Sequence, residues 1–119
     1  MTVESYRDLK VWQKAMTLAE GAYLFTKDFP ASELYGLTSQ MRRAAVSIAA
    51  NIAEGYGRDT RGAYIAFLRN AQGSLKELET HAILSKRLGF AQKSSDLLDA
   101  CDELGRMLRA LIRSLENEQ

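Results

Sequence analysis

Between residues 36 and 76 the chain carries six basic side chains, Arg42, Arg43, Arg58, Arg61, Arg69 and Lys76, and only two acidic ones, Glu54 and Asp59. The flanking stretches are mildly acidic: residues 1–35 hold four basic and five acidic groups, residues 77–119 six and eight. Arginine and lysine in excess attract phosphate, and Tyr56 and Tyr64 in the same stretch can stack on unpaired bases, so the chemistry on offer is contact with RNA or single-stranded DNA. No groove-reading motif accompanies these residues, so the expected contact is not sequence-specific. The competing reading is ordinary surface ion pairing with Glu54, Asp59 and acids on neighbouring elements.

Other chemistry finds little to work with. His81 follows Glu77 by one helical turn, but carboxylate-bridged di-metal bundles use Glu-x-x-His twice, and Leu78 stands three residues before His81. One histidine and one cysteine cannot build a zinc site, so neither metal nor cofactor is expected. There is no nucleophile with an adjacent base, no strand-to-helix phosphate loop and no paired catalytic carboxylates, and the chain is expected not to be an enzyme. A lone Cys101 fits a reducing compartment. MTVESYRDLK lacks a secretory apolar run and no segment is long and apolar enough for a membrane span, so a cytoplasmic protein without membrane contact is expected.

The elements that must position these residues are helices. The 119-residue chain is 46% hydrophobic and 26% charged, with a net charge of +1 and a single proline, Pro30. Apolar residues recur at spacings of three and four, predicting one all-α domain over 1–119. The first helix is expected over about 8–28, with Trp12, Ala15, Met16, Ala19, Tyr23 and Thr26 on its inner face, stopped before Pro30. The second spans about 37–56 and is closed by Gly55 and Gly57, either of which can adopt a left-handed conformation. Asp59 or Thr60 caps the third, about 61–88, whose Leu68, Ala71, Leu75, Leu78 and Ala82 face inward and which ends in a Schellman-like Gly89-Phe90. Ser94 or Ser95 caps the fourth, about 95–116, with a seam of Leu97, Cys101, Leu104, Leu108, Leu111 and Leu115. Short connections make neighbours antiparallel, giving an up-down-up-down four-helix bundle; the alternative is a three-helix domain with a frayed first segment.

The second helix is apolar over more than one face. Leu37, Met41, Ala44, Ala45, Ile48 and Ile52 suit the core, while Val46, Ala49 and Ala53 fall to one side. Either the first helix overlies that side, or copies of the chain pack there, which makes Val46, Ala49 and Ala53 candidates for a homo-oligomer interface. Arg43, Ser47, Ala50 and Glu54, with Gln40 and Asn51 at the margin, form the strip suited to water.

The stretch ELYGLTSQMRRAAVSIAANIAEGYGR, together with YRDLKVWQKAM and AYIAFLRNAQGSLKELETHAILSKRLGF, resembles the four-helix bundle proteins related to those encoded in intervening sequences of bacterial 23S ribosomal RNA genes. Many members have proline where this chain has Ala49, so its second helix should be less kinked. The resemblance implies a closed homo-oligomer such as a pentameric barrel. It extends to the accessory proteins of diversity-generating retroelements, whose barrels bind nucleic acid and a reverse transcriptase. Two functions follow as expectations: a homo-oligomeric, chaperone-like accessory protein for RNA or single-stranded DNA, or a non-enzymatic scaffold whose basic surface docks an acidic protein partner.

Overall fold

The computed structural model describes residues 3–91 and 93–118. Four helices, α1 (Lys10–Thr26), α2 (Leu37–Tyr56), α3 (Arg61–Arg87) and α4 (Ser95–Glu116), are joined by short connections, with single turns of 3-10 helix at Tyr6–Asp8 and Ala31–Glu33. Each helix packs along the next and α4 returns to α1, while the backbones of the diagonal pairs α1/α3 and α2/α4 stay apart. This is the antiparallel up-down-up-down bundle, 49 Å long and 22–24 Å across.

α1 is shorter than its apolar pattern predicts, because Leu9 is extended (φ −72°, ψ 128°) and separates it from the 3-10 turn. That turn is capped separately: the Ser5 hydroxyl accepts from the Arg7 N–H at 3.1 Å, and the Asp8 carboxylate accepts from the Ser5 N–H at 3.3 Å. The inner face of α1 also differs. Val11, Ala15, Leu18, Ala19, Ala22 and Thr26 are buried, whereas Met16 and Tyr23 remain 41% and 46% exposed. The helix is thus turned by about 60° from the expected orientation, at 100° per residue. Two apolar strips overlap on α1, and the one rich in aliphatic side chains goes inside. Tyr23, with its polar hydroxyl, stays at the rim, where the Arg42 guanidinium lies 4.6 Å from its ring centroid.

α2 and α3 bury the residues their spacing assigns, Met41, Ala44, Ala45, Ile48 and Ile52 against Leu68, Ala71, Leu75, Leu78 and Ala82. The α2–α3 pair makes the most extensive contact in the bundle. Its close approach depends on Gly55, where an added Cβ would lie 2.6 Å from Phe67 Cβ and 3.2 Å from the Tyr64 carbonyl oxygen. Neither Gly55 nor Gly57 is left-handed: Gly57 sits at φ −80° and its N–H donates to the Glu54 carbonyl. Gly89 is the glycine at positive φ (79°). There the Phe90 N–H donates to the Ser85 carbonyl and the Gly89 N–H to that of Lys86, the two bonds of a Schellman stop, and Phe90 folds back to pack on Phe29. Thr60 caps α3 by accepting from the Ala63 N–H at 3.1 Å. Ser94 occupies the N-cap of α4 without a side-chain bond.

The α4 seam buries Leu97, Cys101, Leu104 and Leu108 and then passes to Ile112, leaving Leu111 and Leu115 half-buried. A straight helix of 3.6 residues per turn drifts from a strict 3.5 repeat by about 20° per heptad, roughly 50° over the seam, enough to bring Ile112 inward beside Leu111. Burial pushes the Cys101 thiol up to about 12, with Glu79 and Asp102 adding to the rise and Lys76 opposing it. The native protein is therefore expected to resist thiol reagents at about pH 8 and to react fully only in denaturant. Rapid labelling of the native chain would show that the seam opens.

Candidate nucleic-acid interface

The helix faces divide the six candidate cations into three groups. Arg42 turns toward α1: its Nε donates to the Thr26 hydroxyl at 2.9 Å while its plane covers Tyr23. Arg61, Arg69 and Lys76 are on α3 and are each matched by an acid. Arg69 meets Glu116 at 2.6 Å, Arg61 approaches the Glu118 carboxylate at 4.0 Å and also donates to its carbonyl, and Lys76 meets Glu79 at 3.3 Å. Exposed pairs of this kind add little stability, but each sets a negative charge beside the cation and lowers the positive potential there, as Glu54 does at Arg58. Arg43 and Arg58 belong to the third group, along the groove between α2 and α3.

That groove is lined from α2 by Gln40, Arg43, Ser47, Asn51 and Glu54, which follow one another at spacings of three and four and so share one side of the helix. Ser47 and the α3 residue Ser74 bridge it through a 2.9 Å hydroxyl–hydroxyl bond. The Asn51 amide then donates to the Ser47 carbonyl and hydroxyl at 2.8 and 3.0 Å. At its lower end Arg58 pairs with Glu54 at 2.8 Å and lies 4.7 Å over the Phe67 ring. Toward the start of α2, Gln40, Arg43, Ala44, Ser47 and Glu77 line an open polar cleft of about 440 Å³. Among the described residues neither Arg43 nor Glu77 forms an ion pair.

Tyr56 and Tyr64 are brought together at the α2–α3 turn, edge to face with centroids 5.9 Å apart. Burial raises the Tyr64 hydroxyl above its ordinary value, and the neighbouring Tyr56 raises it further. Both rings are half-buried and engaged with each other. They close the turn, and the aromatic face that carries a cation beside the groove belongs to Phe67.

The proposed interface residues separate as well. Val46 is 47% exposed and Ala53 half-buried, but Ala49 is only 5% exposed within its own chain. Ala49 is thus corrected from a subunit-contact residue to a core residue: the bundle's own packing covers that flank of α2. His81 buries Nδ1 without a hydrogen-bond partner. Among the described residues no three His, Cys, Asp or Glu side chains are grouped to hold a metal, and no helix is long and apolar enough to cross a membrane.

Sequence periodicity marks Gln40, Arg43, Ser47, Asn51 and Glu54 as a water-facing strip. Their α3 counterparts Phe67, Ser74 and Glu77 escape notice because pairing across a groove depends on how two helices are rotated against each other.

A search of curated proteins finds no match. Among solved structures, a protein of unknown function from the S23 ribosomal protein family of Bacteroides thetaiotaomicron VPI-5482 shares the fold with a TM-score of 0.77 and 24% identity, over 86% of this chain and 97% of that one. Residues 7–110 match the family model described as 23S rRNA-intervening sequence protein, and the chain belongs to that family.

Proposed function

We propose that this protein is a cytoplasmic, non-enzymatic homo-oligomer that binds RNA or single-stranded DNA along the α2–α3 groove, as an accessory or chaperone-like factor. The observation that carries the reading is the groove itself: a strip of polar side chains on which Arg43 forms no ion pair among the described residues, ending at an arginine held over an aromatic ring. Amide, hydroxyl and guanidinium groups suit phosphate and sugar oxygens, and a cation over a ring suits a stacked base.

Exposed apolar surface supports it from a second direction. Met16, Tyr23 and Leu24 on α1, and Ile83, Leu84 and Leu88 at the end of α3, are large apolar side chains left exposed on diagonally opposed helices. Two different patches on opposite sides suit head-to-tail packing, which closes into rings such as the pentamer that the resemblance suggests. Val46 and Ala53 lie on the outer flank of α2 beside the α1 patch. A ring repeats the groove in every subunit, and simultaneous engagement multiplies a weak single contact.

The test is retention of mixed-sequence RNA by the purified protein at low and high salt, with the mass in solution measured by light scattering. Retention that falls steeply with salt, by a species heavier than one chain, is expected. Absence of retention at low salt, together with capture of an acidic protein by the same surface, would replace this reading with that of a docking scaffold.

A further inference from the structure

Arg43 and Glu77 line one cleft from opposite helices and do not close on each other, although four other cations nearby, Arg58, Arg61, Arg69 and Lys76, each find an acid. The Ser47–Ser74 bond ties the two helices together beside the cleft, and the Asn51 amide holds the Ser47 hydroxyl from within α2. A guanidinium only donates hydrogen bonds and a carboxylate only accepts them, so the cleft offers a fork of donors on its α2 wall and a pair of acceptors on its α3 wall. Gln40 and Ser47 add groups that do either. The matching ligand has two adjacent acceptors on one edge and two adjacent donors on the next.

Among the four bases guanine alone has that pattern. O6 and N7 accept side by side, and N1–H and the N2 amino group donate side by side. Adenine sets an acceptor, N1, where the carboxylate needs a donor. Cytosine and uracil have no two neighbouring donors on a ring edge. Within the cleft Glu77 repels a phosphate, so Arg43 meets a base edge there and the phosphates fall to the donors farther along the groove.

We propose that the α2–α3 cleft is a guanine pocket, with Arg43 donating to O6 and N7 and Glu77 accepting from N1–H and the N2 amino group of an unpaired guanine. This rests on the reading of the groove as a nucleic-acid interface and gives it a base preference. The remainder of the groove holds the strand without regard to sequence.

The experiment is fluorescence anisotropy of the purified protein with short labelled oligouridylates that carry guanine, adenine or no purine at regular positions. The guanine oligomer should bind about tenfold more tightly than the adenine one, the discrimination expected of a good bidentate contact. Glu77→Gln should abolish the guanine–adenine difference, because the glutamine amide presents a donor where one carboxylate oxygen accepted. Glu77 is exposed on α3 and glutamine is a good helix former, so the variant folds. Equal binding of the guanine and adenine oligomers, or a guanine preference that survives in Glu77→Gln, overturns the pocket and leaves the nucleic-acid reading standing. No binding of any oligomer at low salt overturns both.

Discussion

Replacing Gly55 by valine is expected to lower the unfolding free energy by about 3 kcal/mol, the upper end of overpacking costs, and the midpoint of thermal unfolding by roughly 10 °C for a domain of this size. The cause is local. A Cβ at position 55 would lie 2.6 Å from Phe67 Cβ, an atom fixed to the α3 backbone, and 3.2 Å from the Tyr64 carbonyl oxygen. No rotamer change relieves the first contact, so α2 and α3 must separate at the turn where Tyr56, Tyr64, Phe67 and Arg58 meet. Alanine at the same position still makes that contact but regains about 1 kcal/mol of helix propensity, so its effect should be smaller. Urea unfolding of the two variants measures both values. A valine variant as stable as the parent would show that the helices are less closely apposed.

Ile48→Ala is expected to cost about 3 kcal/mol, the sum of lost burial and an incompletely collapsed cavity. Ile48 is fully buried on the face of α2 that meets the rest of the bundle. Two residues earlier, Val46→Ala should change the stability of the folded chain by less than about 0.5 kcal/mol, because Val46 is exposed. The contrast follows from the orientation of α2, and equal costs at the two positions would show that the helix is turned. Any further effect of Val46 on the mass in solution reports on assembly.

The limits of α2 and the inner faces of α2 and α3 are legible in the sequence because the large aliphatic side chains, Met41, Ile48 and Ile52 on α2 and Leu68, Leu75 and Leu78 on α3, fall on one face of each helix. α1 is harder to read: Trp12, Met16, Ala19 and Tyr23 repeat as regularly as Val11, Ala15, Leu18 and Ala22, and the contact that holds Tyr23 at the rim comes from Arg42 of another helix. The glycines of EGYGR signal a helix end, but their spacing carries no trace of Phe67, the side chain that requires Gly55. The division of the candidate cations among faces is hidden from the sequence for a related reason. A count of charge along residues 36–76 collects side chains that the bundle sends to three different faces, and Glu116 and Glu118, which match Arg69 and Arg61, lie at the far end of the chain. Arg43 and Arg58 are the members of that set that remain on the groove.

The central claim is that strand binding uses the α2–α3 groove. It is tested most directly by comparing RNA retention at low salt for Arg43→Ala and Arg69→Ala, two single-charge losses on different faces of the bundle. Arg43→Ala is expected to weaken retention by about tenfold and Arg69→Ala by less than about twofold, because Arg69 is already matched by Glu116. Equal losses, or the larger loss at Arg69, would contradict the assignment of the groove.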